Sequence, residues 1–297
     1  MLDKKNKEFL YAIFFMVLAS AFIATTSIIA KILGKSDFGD SLNPLQTSHS
    51  RFFFAFLFIA LFTFKSNPIL DKAHLHLHLA RTVSGWVGVT ILFGSTSLIP
   101  IADAVAINFT NPIFAMLFAI IILGEKIGLY RWFAAFITFL GALILIRPSY
   151  NLSEYEPIAI ISLIGAVILG LEATFIKLLV KLENKIQILF INNLIGLILS
   201  SIPIFFVWIN PSVVQIFFCI LIGLFMLIGQ YCFLEALKRC DVSLIAPFFY
   251  NTLIFVIIFD FIIFKNLPDN VSISGAILII VGGLILLYRQ RKNIFHS

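Results

Sequence analysis

Glu172 is an acid set inside an apolar run, ILGLEATFIKLLV, and its position demands a physical reason. A charge near the centre of a bilayer costs about 2.5 to 3.5 kcal/mol even on the lenient insertion scale, so such a side chain faces a cavity or a partner. The chemistry open to it is attraction of a cationic group or uptake of a proton. Hydrogen bonding to a neighbouring Ser, Thr or Asn is the purely structural alternative. Lys177, five residues on, sits too far round a helix for an ideal ion pair. Neutral polar groups fall at comparable depth: Asn108 and Asn111 precede Pro112, Tyr250 and Asn251 follow Pro247, and Gln230 interrupts FMLIGQYCF. These groups suit contact with a polar solute, or else hydrogen bonding between helices. Trp86, close to Gly85 and Gly88, offers a stacking face for a ring or cation, or an anchor at the membrane interface. Pro112 and Pro247 each free a carbonyl four residues back, at Asn108 and Ser243, and mark expected kinks for gating.

Other polar residues read as structural. Lys31 and Lys177 lie near helix ends in corresponding places and can snorkel to the interface. Arg51, about two turns into its helix, is the exception and is harder to read as structural; Asp37, Asp40 and Asp260 are its candidate partners. Glu235 falls close enough to a helix end to be solvated, and Asp260 likewise. His74, His76 and His78 alternate with Leu in a short loop, which reads as interfacial placement, and no metal site is expected. Cys219, Cys232 and Cys240 have neither metal-like nor disulfide-like spacing and read as small core residues. A phosphate-cradling Gly-x4-Gly-Lys-Ser/Thr, a His-Glu-x-x-His and a Gly-x-Ser-x-Gly are all missing from the sequence, so neither a cofactor nor an enzymatic step is expected.

The elements that must position these residues are membrane helices. With 61% hydrophobic and 12% charged residues, a chain of 297 residues has too little polar surface for a water-soluble globule. The formal charge of +6 does not indicate nucleic acid, because no basic run is interleaved with aromatics. Apolar segments fall at roughly 9 to 33, 44 to 64, 79 to 99, 102 to 123, 130 to 146, 157 to 181, 186 to 209, 212 to 236, 241 to 264 and 271 to 288. The first is too long for a signal peptide and lacks a cleavage site, so it is expected to stay as a membrane helix. With the N-terminus inside, the cytoplasmic connections hold fifteen Lys and Arg, Arg81 among them, against Lys35, Arg147 and Lys265 outside. Both termini are therefore expected in the cytoplasm.

Part of the chain is written twice. A shift of 141 positions lays Ile113-Phe114 on Ile254-Phe255, Phe118 on Phe259, Ile121-Ile122 on Ile262-Ile263 and Gly141 on Gly282. Five helices per half is an odd number, so the second half crosses the membrane in the opposite sense to the first. The expected fold is all-α, ten transmembrane helices in two inverted five-helix repeats, 1–148 and 149–297.

Ala102-Asp103-Ala104, Asn111-Pro112, Leu123-Gly124-Glu125-Lys126 and Gly141-Ala142-Leu143 resemble the repeated unit of the drug/metabolite transporter superfamily, EamA type. The run from Asp241 to Tyr250 is similar to that family's second half. Where the family repeats Gly-Glu, this chain has Lys265-Asn266, so one of two helix-end carboxylates is replaced. Lys31, Arg51 and Arg81 resemble the subgroup that includes S-adenosylmethionine uptake permeases of obligate intracellular bacteria.

The resemblance and the inverted duplication imply a secondary transporter in the bacterial inner membrane, moving a small polar or zwitterionic metabolite by alternating access about a midplane pocket. The substrate-binding set is Glu172, Trp86, Asn108, Asn111, Gln230, Tyr250 and Asn251, with Pro112 and Pro247 as kinks. Uptake of S-adenosylmethionine and export of amino acids or related metabolites both stay open. So do a lipid-modifying intramembrane enzyme, protons as a coupling ion, and a monomer or a homodimer.

Overall fold

The structure, a computed structural model, describes residues 2–66, 73–99, 104, 107–108, 110–146, 152–265, 270–271, 273–275, 277–278, 280–282 and 284–285. Every regular element among them is helical. The long elements are α1 (Leu2–Leu33), α2 (Pro44–Ser66), α3 (Leu75–Leu98), α4 (Asn111–Leu123), α5 (Leu129–Ile146), α6 (Leu152–Leu182), α7 (Lys185–Val207), α8 (Val213–Arg239) and α9 (Asn251–Phe264). Helical residues within Ile273–Gly282 form α10. In hydrocarbon every backbone N–H and C=O must be satisfied within the chain, and helices do this locally. Five of them, α1, α2, α6, α7 and α8, are long and apolar enough to cross a membrane on that ground alone. Phe64, Phe205 and Phe206 point outward from the bundle, as lipid-facing side chains do.

Local chemistry sets where helices start and stop. Ser212 opens α8 with a capping box, its hydroxyl accepting from the Gln215 N–H while the Gln215 side chain accepts from the Ser212 N–H. Asn184 caps α7 by accepting from the Gln187 N–H. α4 and α9 end on residues in the left-handed region, Gly124 at φ 65° and Lys265 at φ 59°. These two lie 141 positions apart, so the duplicated halves keep one backbone turn although glycine stands at only one of them. Asn266, next in line, lies outside the described residues, as do Asp103 and Arg147.

The prolines act as starts. Pro112 sits in the first turn of α4, just after the Thr110 cap. The N–H that proline lacks would have had no intrahelical partner there. The second copy is broken more thoroughly: a helical turn, Val242–Ile245, passes into a 3-10 turn, Ala246–Tyr250, and regular helix resumes at Asn251. Pro247 occupies the opening of that 3-10 turn. The continuous helix expected over 241 to 264 is therefore two short turns and α9, and neither proline is mid-helix.

Packing runs between the halves. α1 lies along α8 and α9, α3 along α6 and α7, α4 along α6, and α2 along both α7 and α8. An inverted repeat pairs α1 with α6, α2 with α7, α3 with α8 and α4 with α9. Under that exchange the α1–α8 contact maps onto α6–α3, α1–α9 onto α6–α4, and α2–α8 onto α7–α3. The α2–α7 contact maps onto itself and so lies on the pseudo-two-fold axis. Small residues permit these approaches: a Cβ on Gly170 of α6 would stand 2.8 Å from the Ala115 amide nitrogen of α4. Ala24 and Ala166 are likewise fully buried.

Candidate functional site

A cavity of about 120 Å³ lies between the halves, room for several waters or part of a metabolite. Its charged lining consists of Arg51 from α2, Arg81 from α3 and Glu172 from α6. Arg51 and Arg81 are among the largest fully buried side chains of the protein. Glu172 finds a charge as its partner: Arg81 Nε stands 3.9 Å from Glu172 Oε1. Arg81 also donates from Nη1 to the carbonyl of Ile188 at 3.4 Å. The Arg51 guanidinium lies 4.2 Å from the centre of the Phe52 ring, while its Nε and Nη1 are buried without a hydrogen-bond partner. None of the three aspartates expected to pair with Arg51 does so; Asp260 is taken by Lys31 at 3.3 Å.

The amides arrive from the other elements. Asn111, the first residue of α4, donates from Nδ2 to Asn108 Oδ1 at 3.3 Å, and Asn108 Nδ2 stays buried without a partner. Gln230 of α8 lines the cavity with Oε1 unpartnered, and Thr252 of α9 does so with its hydroxyl. Pro112 also lines it, beside Asn111. Five residues expected from sequence thus meet at one place: Glu172, Asn108, Asn111, Gln230 and Pro112. The cavity lining does not include Trp86, Tyr250 or Asn251. Trp86 is half-buried in α3 with Nε1 unpartnered, Tyr250 is packed against Ala24, Ile28 and Leu92, and Asn251 begins α9. Pro247 is placed by its backbone in the 3-10 turn that precedes it.

Arg81 is the residue sequence reasoning misplaced. It counted as a cytoplasmic charge at the opening of a helix, yet it is the seventh residue of α3 and fully buried. Its signal was the spacing Arg81, Gly85, Gly88, which puts all three on one helix face. A Cβ on Gly85 would lie 2.5 Å from Glu172 Oε1, and one on Gly88 would lie 2.5 Å from Leu169 Cγ. The bare face of α3 is what lets α6 bring its acid in. Thr26 and Ser27 of α1 also line the cavity, and nothing in their surroundings distinguished them from ordinary helix packing.

Charged groups near the helix ends find partners that the sequence does not reveal. Lys31 pairs with Asp260. Lys177 is buried and donates to the carbonyls of Leu237 at 2.7 Å and Cys240 at 2.5 Å, so it caps the end of α8. Glu235 is buried rather than solvated, in ion pairs with Lys185 and Arg239. Two of the loop histidines converge on Glu183: His74 Nδ1 at 3.0 Å and His78 Nε2 at 2.8 Å, with Gln187 Nε2 donating at 2.8 Å. Burial pushes the Glu183 carboxyl up, but the His74 backbone N–H and the two imidazoles outweigh it and hold the group below its ordinary range. Among the described residues no three His, Cys, Asp or Glu side chains are grouped to hold a metal ion.

Two helical repeats of opposite sense, with a charged polar cavity between them, define a membrane solute carrier. Residues 10–147 and 157–288 match the EamA-like transporter family, and the chain belongs to that family. It is 23% identical over 288 residues, 97% of this chain and 96% of the relative, to the S-adenosylmethionine uptake transporter of Rickettsia prowazekii. It is 25% identical over 238 residues to the pseudopaline exporter CntI of Pseudomonas aeruginosa, covering 80% and 83% of the two chains. With the riboflavin transporter of Brucella anthropi it shares 29% over 233 residues, 74% and 79% of the two. A solved crystal structure superposes with a TM-score of 0.78 at 15% identity, covering 96% of this chain and 98% of its own, which shows the fold. The protein is a multi-pass membrane transporter of a small metabolite.

Proposed function

We propose that this transporter carries S-adenosylmethionine, or a zwitterion of the same build, into the bacterial cytoplasm across the inner membrane. The observation that carries the reading is the convergence of Arg51, Arg81 and Glu172 with three amide side chains on one cavity between the halves. S-adenosylmethionine presents both signs of charge and a base with hydrogen-bonding edges. Glu172 supplies the negative group for its cationic centre, and Asn108, Asn111 and Gln230 supply amide donors and acceptors. Trp86, Tyr250 and Asn251 belong to a second row that the cavity reaches when the halves rock. Pro112 and Pro247, at the starts of α4 and of the 3-10 turn, mark the places that flex for gating. Alternating access moves the cavity from one face to the other, with both termini cytoplasmic, and the boundary of the repeats falls at 148/149. Glu172 is the acid through which a proton would couple, and the chain works as a monomer or a homodimer without an enzymatic step. The similarity to an exporter supports a second reading, outward movement of amino acids or related metabolites.

Counterflow in proteoliposomes tests both. Saturable exchange of labelled S-adenosylmethionine is expected. Exchange of amino acids without S-adenosylmethionine would favour the second reading, and product formation would sink both.

A further inference from the structure

We propose that Arg51 is the carboxylate receptor of the cavity, so that the substrate class is set by a single carboxylate group; the inference rests on the cavity being the solute site. Arg51 is 2% exposed and lines the cavity, and two of its guanidinium nitrogens, Nε and Nη1, are buried without a hydrogen-bond partner. Burying an unpaired cation is costly, and side chains of this kind are paired in native structures. Arg81 also has its Nε without a hydrogen-bond partner, but its Nη1 holds the Ile188 carbonyl and its Nε stands 3.9 Å from Glu172, whose charge acts on Arg51 without a direct contact. With Glu172 balancing one guanidinium, the three charges sum to a single positive charge. That remainder sits on the arginine whose planar fork matches a carboxylate through two parallel hydrogen bonds. One carboxylate closes the sum, whereas a phosphate dianion overshoots it. The Phe52 ring at 4.2 Å steadies the guanidinium in place without occupying its donors. Arg51 therefore reads a carboxylate on the solute.

The test uses the purified full chain in detergent, with thermal stabilisation read against matched probes. These are S-adenosylmethionine and its decarboxylated analogue, methionine and methioninamide, and adenosine monophosphate as a phosphate probe. Wild type should bind the carboxylate of a pair about thirtyfold more tightly than its partner, and Arg51→Gln should bring the ratio close to unity. Arg51→Lys should restore part of it, since a point charge replaces the fork. An undiminished ratio in Arg51→Gln overturns the proposal. So does equal binding of the decarboxylated or amide probes to wild type, preference for the phosphate probe, or no binding of either carboxylate. Should Arg51→Gln fail to fold, Arg51→Lys decides, and a ratio undiminished from wild type in that variant overturns the proposal. If the ratio holds but the same carboxylates fail to exchange in proteoliposomes, the receptor stands and the transport direction and substrate reading fall.

Discussion

The Glu172 carboxylate rests on the backbone of Gly85, so close that a methyl group added there would lie 2.5 Å from Glu172 Oε1. An acid carried by α6 is positioned by the missing side chain of α3. Gly85→Ala must therefore push Glu172 into the cavity, and transport should fall at least tenfold while the protein stays monodisperse by size-exclusion chromatography. Wild-type uptake in that variant would show that the placement of the carboxylate does not matter.

Glu172→Gln keeps the shape and removes the charge. Two buried guanidinium groups are then left with no carboxylate lining the cavity, and uptake should disappear or lose any dependence on a proton gradient. Proteoliposome flux with and without a pH gradient, at matched expression, reads the outcome. Unchanged uptake removes Glu172 from the site.

Lys265→Gly should stabilise. Lys265 holds φ 59° where its duplicate at Gly124 holds φ 65° with glycine, and a left-handed residue with a Cβ costs about 1 to 2 kcal/mol. Part of that is regained, so melting in detergent should rise by a few degrees. A lower melting temperature would mean that the lysine side chain does more than the backbone loses.

Lys177→Met should be costly. It leaves the Leu237 and Cys240 carbonyls at the end of α8 without the donor they now share, a loss of about 1 to 3 kcal/mol. Denaturation midpoints would show it, and a midpoint within error of wild type would make Lys177 an anchor of the kind first expected.

Glu183 gives a pH dependence whose sign is fixed. Its folded carboxyl titrates below the ordinary value of 4.5 because the His74 N–H and the two imidazoles hold the charged form. The stability it contributes is full above that value and is lost as pH falls through the lower folded one. The difference in melting temperature between wild type and Glu183→Gln should be flat from neutral pH downward and shrink only below 4.5. A difference that already shrinks near neutral pH would show that the Glu183 carboxyl is not held below its ordinary value.

The fold was largely written in the sequence because lipid forces helices and apolar runs count them. Glu172, Asn108, Asn111 and Gln230 could be picked out for a related reason: polar atoms at depth are expensive and so stand out. What could not be read was which charges meet. Arg51, Arg81 and Glu172 come from three helices with no regular sequence separation, and they meet only because α2 and α3 pack against the opposite half. Arg81 was hidden by its nearness to a helix start, where a basic residue ordinarily marks a water-facing loop. Lys31 and Asp260 lie 229 positions apart and each looked solvated by itself. The proline breaks were visible, but whether a proline kinks a helix or begins one depends on the turn before it, here Thr110 and Ile245.

The cross-half packing bears on how the chain is made. α1 emerges from the ribosome well before α8 and α9, yet these are its main neighbours. Until α6 arrives, Arg51 and Arg81 are without Glu172, and until α8 arrives the burial face of α1 lies against lipid. The nascent protein is thus most exposed to membrane quality-control proteases during translation of α6 through α8. Truncation before Val213 should leave a fragment that inserts but is rapidly degraded, and the two halves made as separate chains should recover each other only when synthesised together.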